Sequence, residues 1–535
     1  MRKIKLLDCT LRDGAYIVNS MFGDVSIKGI IDKLNKADVD IIECGWLKND
    51  EHKKDSSFYH VISDVNDYVL KPNPTCKYVL MIDWDRYDLT YLPEKDDKNI
   101  VDSIRIVFPY DHFKEGLKVG EEIKAKGYNV YFQAANTLAY SNEDLAELAK
   151  ECNKISPLGI SIVDTFGAMY EDDLERIVKV LDDNLDSDIA LGFHSHNNQQ
   201  LAFSNAIHFM KRLKNSSREA IVDASLCGMG RGAGNATTEL VANYINQKYN
   251  GNYNLDVIMD AIDIYMTKYS EKYKWGYSTE YCIAGIYCCH VNNISYLSKN
   301  HKTSARDMRN VIGSLSPADR KKYNYDLLEE KYLENQNRKF DDALNISKLK
   351  EDFTNGVILT APGKSTVLES AKVKSFIEAH SECKTISVNA LNDIYCTDYL
   401  FLTNTARYDY ARIAYKEKYD SLKRILLSNI KDAQDDNDLI VEYEKAIKRG
   451  WEHFDNAVIC MLRLLAFLKV KNVYLAGFDG FKNTYNESYA DEALPTFNPG
   501  KKWEELNREI KDMFEDVKAS SPTMKIEFIT ESIFK

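Results

Sequence analysis

No stretch of this 535-residue chain runs to about 18 consecutive apolar residues, so no membrane-spanning helix is expected. The N-terminal segment, Met1-Arg-Lys-Ile-Lys-Leu-Leu-Asp8, lacks the apolar run of a signal peptide. Positive charge is also in deficit. The 70 Lys and Arg face 82 Asp and Glu, a net charge of −12, which argues against nucleic acid or an anionic membrane as partner. The 11 cysteines are scattered and form no CxxC pair, which suits reduced thiols in a cytosolic protein. Prolines number only 10; this reflects base composition and excludes nothing.

What is present is the make-up of a globular protein, 44% hydrophobic and 28% charged. The length is too great for one ordinary core, so more than one domain is expected. The first half repeats a short apolar strand, a loop and an amphipathic helix. Strands are expected at 4–8, 41–44, 78–82, 104–108, 130–133, 160–164, 189–193 and 221–224. Eight such units in roughly 250 residues predict an α/β fold of the (β/α)8 TIM-barrel class over 1–250. A doubly wound sheet is the competing reading. Residues 251–345 read as a helical extension at the barrel mouth, with a cap at Ser316-Pro317-Ala-Asp319. A polar linker is expected at 345–355. Residues 346–535 then read as a Rossmann-like α/β domain, with strands at 357–361, 385–389, 399–404, 473–476 and 524–529 and helices at 367–380 and 457–468.

The most telling local feature is His194-Ser-His196, directly after the seventh barrel strand. Alternation along a strand points residues i and i+2 to one side, so two imidazoles can face one divalent ion. Thr10-Leu-Arg12-Asp13-Gly14 follows the first strand and supplies a carboxylate on the same barrel face. Gly228-Met-Gly230-Arg-Gly232-Ala-Gly234-Asn235 follows the eighth strand, the usual place for an anion site made of backbone amides.

These three motifs, in this order, resemble the metal-dependent barrel family of 4-hydroxy-2-oxovalerate aldolase, hydroxymethylglutaryl-CoA lyase and the isopropylmalate and homocitrate synthases. The resemblance covers roughly residues 3–300. It implies a divalent metal held by Asp13, His194 and His196, with Asn235 as a further ligand or its neighbour. Mn²⁺ or Mg²⁺ suits that set, and Zn²⁺ or Co²⁺ also fits the ligands. It implies that Arg12 stabilises an enolate, that Thr165 helps hold the substrate carboxylate, and that Tyr287 is brought to the site. Glu43, ending the second strand, is expected to contact substrate or to orient a ligand or Arg12. Val163–Met169 and Gly192–Asn198 look closest to the aldolase branch. The implied reaction joins or cleaves a pyruvate-type 2-oxo acid and an aldehyde. One departure stands out. The aldolases carry a histidine base two residues after the Arg-Asp-Gly glycine, and this chain has Tyr16 there. A phenol is a poor base near neutral pH, so Tyr16 with a bound water, His112 or His290 is the candidate for that role.

In the second domain, Ala361-Pro-Gly363-Lys364-Ser365 lacks the glycine that a P-loop needs at 358, where Ile358 stands. With Ser387-Val-Asn389, Phe401-Leu-Thr-Asn404 and Gly477-Phe-Asp479-Gly480 it is similar to the bacterial sialyltransferase-like fold. That resemblance implies a nucleotide or nucleotide-sugar held near Gly363, Ser365, Asn389 and Asp479. The histidine base that such transferases place after the last of these motifs is absent, since no His follows His453. The expected whole is a cytosolic, homo-oligomeric class II aldolase, with a sugar or nucleotide-linked aldehyde in surface-polysaccharide biosynthesis. The rival readings are a glycosyltransferase working through the second domain and a non-catalytic metal-binding scaffold.

Overall fold

The computed structural model describes residues 3–301, 303–337, 339–431, 433, 435–482, 486–494 and 502–535. Among these the chain forms two compact units. One runs to Val291 and adds Arg320–Lys322; the other holds Asn292–Asp319 and everything from Tyr323 on. The helical stretch 251–345 is therefore not a single extension. Its first part, including the helix Thr279–Ile286, packs with the barrel, and most of the rest packs with the second unit.

The first unit is a closed parallel barrel. Its strands are β1 (Ile4–Asp8), β2 (Ile41–Leu47), a short β3 (Phe58–Tyr59), β4 (Lys77–Asp83), β5 (Ser103–Pro109), β6 (Asn129–Ala135), β7 (Gly159–Asp164), β8 (Ala190–Ser195) and β9 (Ala220–Ala224). β1 pairs with both β2 and β9, which closes the ring, and β3 is a parallel addition to β2. All eight expected barrel strands are present, most extended by a residue or two. Helices such as Asp24–Lys36 bury Ile27, Ile30, Ile31 and Leu34 at helical spacing against the barrel wall.

Alternation sorts the barrel interior into layers. Leu7, Ile41, Val79, Tyr131, Ala190 and Ile221 make an apolar plug. Two residues further along their strands come Glu43, Gln133 and Asp223, joined by Arg105 and Ser161, all buried. Two residues further still, Asp83, Val107, Ala135, Val163 and His194 line an open cleft. A charged layer thus lies between a hydrophobic plug and the mouth.

The second unit carries a seven-stranded parallel sheet: β10 (Val357–Thr360), β11 (Lys384–Val388), β12 (Tyr399–Leu402), β13 (Lys423–Leu427), β14 (Asp438–Val441), β15 (Asn472–Ala476) and β16 (Lys525–Phe528). The order is β14-β13-β12-β11-β10-β15-β16. The winding reverses between β10 and β15, the topological switch point of a doubly wound fold. Two of these strands, β13 and β14, were not expected from the sequence. The expected linker at 345–355 is mostly helix, Ala343–Asp352, because Ile346 and Leu349 bury one turn apart. The cap expected at 316–319 is present: Asp319 N donates to Ser316 Oγ at 3.1 Å, and Ser316 Oγ donates to Asp319 Oδ2 at 2.6 Å.

Candidate active site

The charged layer of the barrel forms a continuous chain. Arg12 donates from Nε to Glu43 Oε2 at 2.7 Å and from Nη1 to Asp13 Oδ1 at 2.6 Å. Arg105 Nη1 lies 2.8 Å from Glu43 Oε1. Arg105 Nη2 donates to Gln133 Oε1 at 2.8 Å and also to Asp223 Oδ2. Asp223 Oδ2 in turn faces His194 Nδ1 at 3.2 Å. Buried charges require such partners. Although burial pushes Asp223 upward, Arg105 holds it below the usual carboxylate range. Asp13 is likewise pushed up by burial but held well below that range by Arg12, with His196 adding to the effect.

Above this layer the side chains of Asp13, His194 and His196 converge, one ligand atom from each lying within 4.8 Å of the others. Both rings are set by what lies behind them. His196 Nδ1 is 3.0 Å from the carbonyl oxygen of Asp164, which can only accept. That makes Nδ1 the donor and leaves the Nε2 lone pair facing Asp13 Oδ2 at 3.6 Å. His194 Nδ1 lies 3.2 Å from Asp223 Oδ2, and both ring nitrogens are buried without a well-formed hydrogen bond. Burial, with Arg12 nearby, lowers the His194 pKa and favours the neutral ring. Asn235 donates from Nδ2 to Asp13 Oδ2 at 2.7 Å, and its buried Oδ1 has no hydrogen-bond partner. Orphaned lone-pair atoms beside a carboxylate fit a divalent cation, which suits this donor set.

The glycine-rich run serves this geometry, and its last three amides are already spent. The amide of Ala233 donates to Asn198 Oδ1, that of Gly234 to Arg231 O and that of Asn235 to Gly228 O. A Cβ at Gly230 would meet Asn235 Nδ2 at 2.3 Å and Asp13 Oδ2 at 2.6 Å. The glycine is needed so that Asn235 can reach Asp13.

The remaining expected residues divide. Arg12, Tyr16, Thr165 and His290 line the cleft with Asp13, His194 and His196. Thr165 Oγ1 accepts the Asn136 amide at 2.6 Å, which leaves its hydroxyl hydrogen to donate. Tyr16 is 38% exposed, with the Arg231 guanidinium 3.7 Å from its ring centre. Loss of water around its phenol pushes the pKa up to about 12, against the pull of Arg231. The phenol therefore stays protonated near pH 7. Burial pulls His290 down to about 4, helped by Arg231. Glu43 is not among the cleft residues: its Oε2 accepts from Arg12, and its Oε1 lies 2.8 Å from Arg105 Nη1. Tyr287 is not among the cleft residues; its ring lies under Arg320 at 4.9 Å. His112 is stacked on Trp84 at 4.9 Å, also outside the cleft lining. Sequence reasoning missed Arg105, Gln133 and Asp223. Their signal was present as single polar residues inside apolar strands, in Ile104-Arg105-Ile106 and Ile221-Val-Asp223.

Residues 111–264 match the HMGL-like family model. The chain is similar to an oxaloacetate decarboxylase of Mycobacterium tuberculosis, 26% identical over 265 residues, or 48% of this chain and 74% of that one. It is also similar to a 4-hydroxy-2-oxovalerate aldolase of Roseiflexus castenholzii, 29% identical over 280 residues, 49% of this chain and 77% of that one. Among solved structures, an HMG-CoA lyase of Bacillus subtilis aligns with a TM-score of 0.41 at 14% identity, over 50% of this chain and 94% of that one.

In the second unit, Gly363, Asn389 and Asp479 line one cavity at the C-terminal ends of the strands. The small-residue turn is already filled, however. Asp479 Oδ2 accepts the Ser365 amide at 2.8 Å, and Asp479 Oδ1 accepts the Ser365 hydroxyl. A protein carboxylate sits where the sequence suggested a phosphate.

Proposed function

We propose that the barrel unit is a divalent-metal-dependent carbon–carbon lyase that joins or cleaves a pyruvate-type 2-oxo acid and an aldehyde. The observation that carries this reading is the convergence of Asp13, His194 and His196, one ligand atom of each within 4.8 Å of the others, with His196 Nε2 facing Asp13. Asp13, His194 and His196 would hold the ion, with Asn235 Oδ1 as a fourth donor. When bound, such an ion supplies Lewis acidity at the keto oxygen of a 2-oxo acid. Arg12 contributes a fixed positive charge where the enolate oxygen develops. Glu43 and Asp13 hold its Nε and Nη1, so Nη2 is the nitrogen left for substrate. Thr165 donates to the carboxylate. Tyr16, kept neutral, donates to the aldehyde oxygen or to the 4-hydroxyl formed from it. The relatives named oxaloacetate decarboxylase and 4-hydroxy-2-oxovalerate aldolase support a reaction through a pyruvate enolate.

A second reading uses the same enolate without a base. Loss of CO₂ from a 2-oxo diacid needs no group to take a hydroxyl proton. The neutral phenol of Tyr16 favours that variant over retro-aldol cleavage.

The test is exchange of the pyruvate C3 protons with deuterated solvent, followed by NMR with added Mn²⁺. Exchange should require metal and should vanish in a His194→Ala, His196→Ala double variant. Arg12→Lys keeps the charge but loses the planar fork, and should slow exchange by about a hundredfold. Full exchange without metal, or in the double variant, would rule out this mechanism.

A further inference from the structure

The second unit hides an arginine that has no acid to answer it. Arg407, on the helix Thr405–Ala414, is 5% exposed. Its Nη1 has no hydrogen-bond partner, and among the described residues no carboxylate is in ion-pair contact with it. Tyr489, a neutral phenol, hydrogen-bonds the guanidinium, and its ring lies 5.5 Å away. Asp491 exerts only a minor pull, and its Oδ2 already accepts the hydroxyls of Tyr410 and Tyr415 at 2.8 and 2.9 Å. Burial draws the Arg407 pKa below the usual arginine range. Arginine still does not lose its proton in a protein, so a charge buried here calls for an anion.

Two further orphans line the same cavity as Arg407. His453, 3% exposed, places Nδ1 2.8 Å from Glu509 Oε2 and donates its own amide to Glu509 Oε1 at 2.9 Å. Glu509 thereby fixes the ring with Nε2 unpartnered. Asn389, 7% exposed, sits at the end of β11 with φ +62°, and its Oδ1 has no partner. The walls add Phe478, Phe481 and Phe534. The cavity lies at the ends of β10, β11, β12 and β15, where the sheet changes winding direction.

We infer that this cavity binds a small organic oxyanion, a phosphate or carboxylate gripped by Arg407, with the ligand's body against Phe478 and Phe481. Asn389 Oδ1 and His453 Nε2 then accept hydroxyl or amine protons from the same ligand. The Ser365 turn takes no part, because Asp479 occupies it. The site is separate from the barrel cleft and does not depend on the reading given to that cleft.

The experiment uses the full chain carrying His194→Ala and His196→Ala, so that the barrel cannot account for anion binding. Calorimetry with CMP and inorganic phosphate tests the phosphate arm, and phenylacetate tests the carboxylate arm. At least one probe should bind, and Arg407→Met should weaken it about tenfold or more. Without probe, Arg407→Met should melt no lower than its parent, since a thioether replaces an unpaired buried charge. His453→Gln should weaken CMP or phosphate, which can donate to Nε2, and leave phenylacetate unchanged, with the fold intact. Three silent probes would overturn the proposal. So would binding that Arg407→Met leaves unchanged, or an Arg407→Met variant that melts early, which would mark the arginine as structural.

Discussion

Asp223→Asn is the sharpest probe of the charged layer beneath the barrel site. The substitution keeps the side-chain volume and removes one buried charge. Asp223 Oδ2 serves two neighbours, Arg105 Nη2 and, at 3.2 Å, His194 Nδ1. Arg105 is not stranded by the change, since Glu43 and Gln133 remain at 2.8 Å each. The cost to the fold is therefore that of one charge-assisted hydrogen bond, about 1.5–3 kcal/mol, rather than the ~3–5 kcal/mol of a wholly uncompensated buried charge. At the site the effect is different in kind. The amide offers a single neutral oxygen, and the guanidinium competes for it. His194 then loses the anion that fixes its Nδ1–H tautomer and makes Nε2 a strong donor. Loss of such a partner weakens a metal by about 10- to 100-fold, or ~1.4–2.7 kcal/mol. Calorimetric titration of the metal-stripped variant with Mn²⁺ measures this, and a thermal melt reports the fold separately. Mn²⁺ affinity held within about threefold, alongside a lowered melt, would refute the argument and leave Asp223 a purely structural anion.

Other expectations follow from the same geometry. Tyr16→His puts a lone pair where a neutral phenol stands and should raise retro-aldol release of pyruvate from a 4-hydroxy-2-oxo acid at least about tenfold; no gain would remove the proton-acceptor argument. Gly230→Ala drives a Cβ into Asn235 Nδ2 and Asp13 Oδ2, so the purified variant should stay folded by circular dichroism yet fail to retain Mn²⁺. Asp8 is raised from 3.8 to about 6 by burial, with Thr238 opposing. A raised folded pKa gives stability that is present at low pH and lost as pH climbs from about 4 through about 6. The wild type should therefore lose up to about 3 kcal/mol across that window relative to Asp8→Asn, seen as a pH-dependent gap between their denaturant midpoints; a constant gap would contradict the burial argument.

The barrel was legible because each strand is a short apolar run and each helix shows one apolar face. The ligand set was legible because His194 and His196 flank a strand end and Asp13 follows another. What the chain did not announce is how its charges pair. Arg105 and Asp223 stand 118 residues apart, and nothing local couples them, though a lone charge within an apolar strand points to the interior. The strand Lys423–Leu427 opens on two cations and went unread. Arg424 is in fact buried, with Nε 2.5 Å from Asp438 Oδ1 in the neighbouring strand, and each residue makes the other's burial tolerable. The helix Ala343–Asp352 looked like a linker because its apolar residues are few; Ile346 and Leu349 suffice, with Asn345 Nδ2 donating to Ile440 O at 2.9 Å. The sequence alone points to Asp479 as a ligand contact. Its role as the acceptor for Ser365 depends on a separation of 114 residues that no motif encodes.

The sign of the unmet demand distinguishes the two cavities. In the chain of contacts below the barrel mouth, three carboxylates (Asp13, Glu43 and Asp223) face two guanidiniums, Arg12 and Arg105. Among the atoms there without a hydrogen-bond partner, His194 Nε2 and Asn235 Oδ1 carry lone pairs. Excess negative charge with unspent lone pairs is resolved by a cation, and a proton on His194 is disfavoured by its burial and by Arg12. In the second unit the unanswered charge is a cation: Arg407 is positive, and its unpartnered Nη1 is an N–H. A cation there would meet repulsion, and water alone would leave a buried guanidinium without a counter-charge. An oxyanion supplies both the charge and the acceptor. Because the two imbalances have opposite sign, a chelator should strip the ligand from the first cavity and leave the second untouched, while competing phosphate should act on the second even when no metal is present.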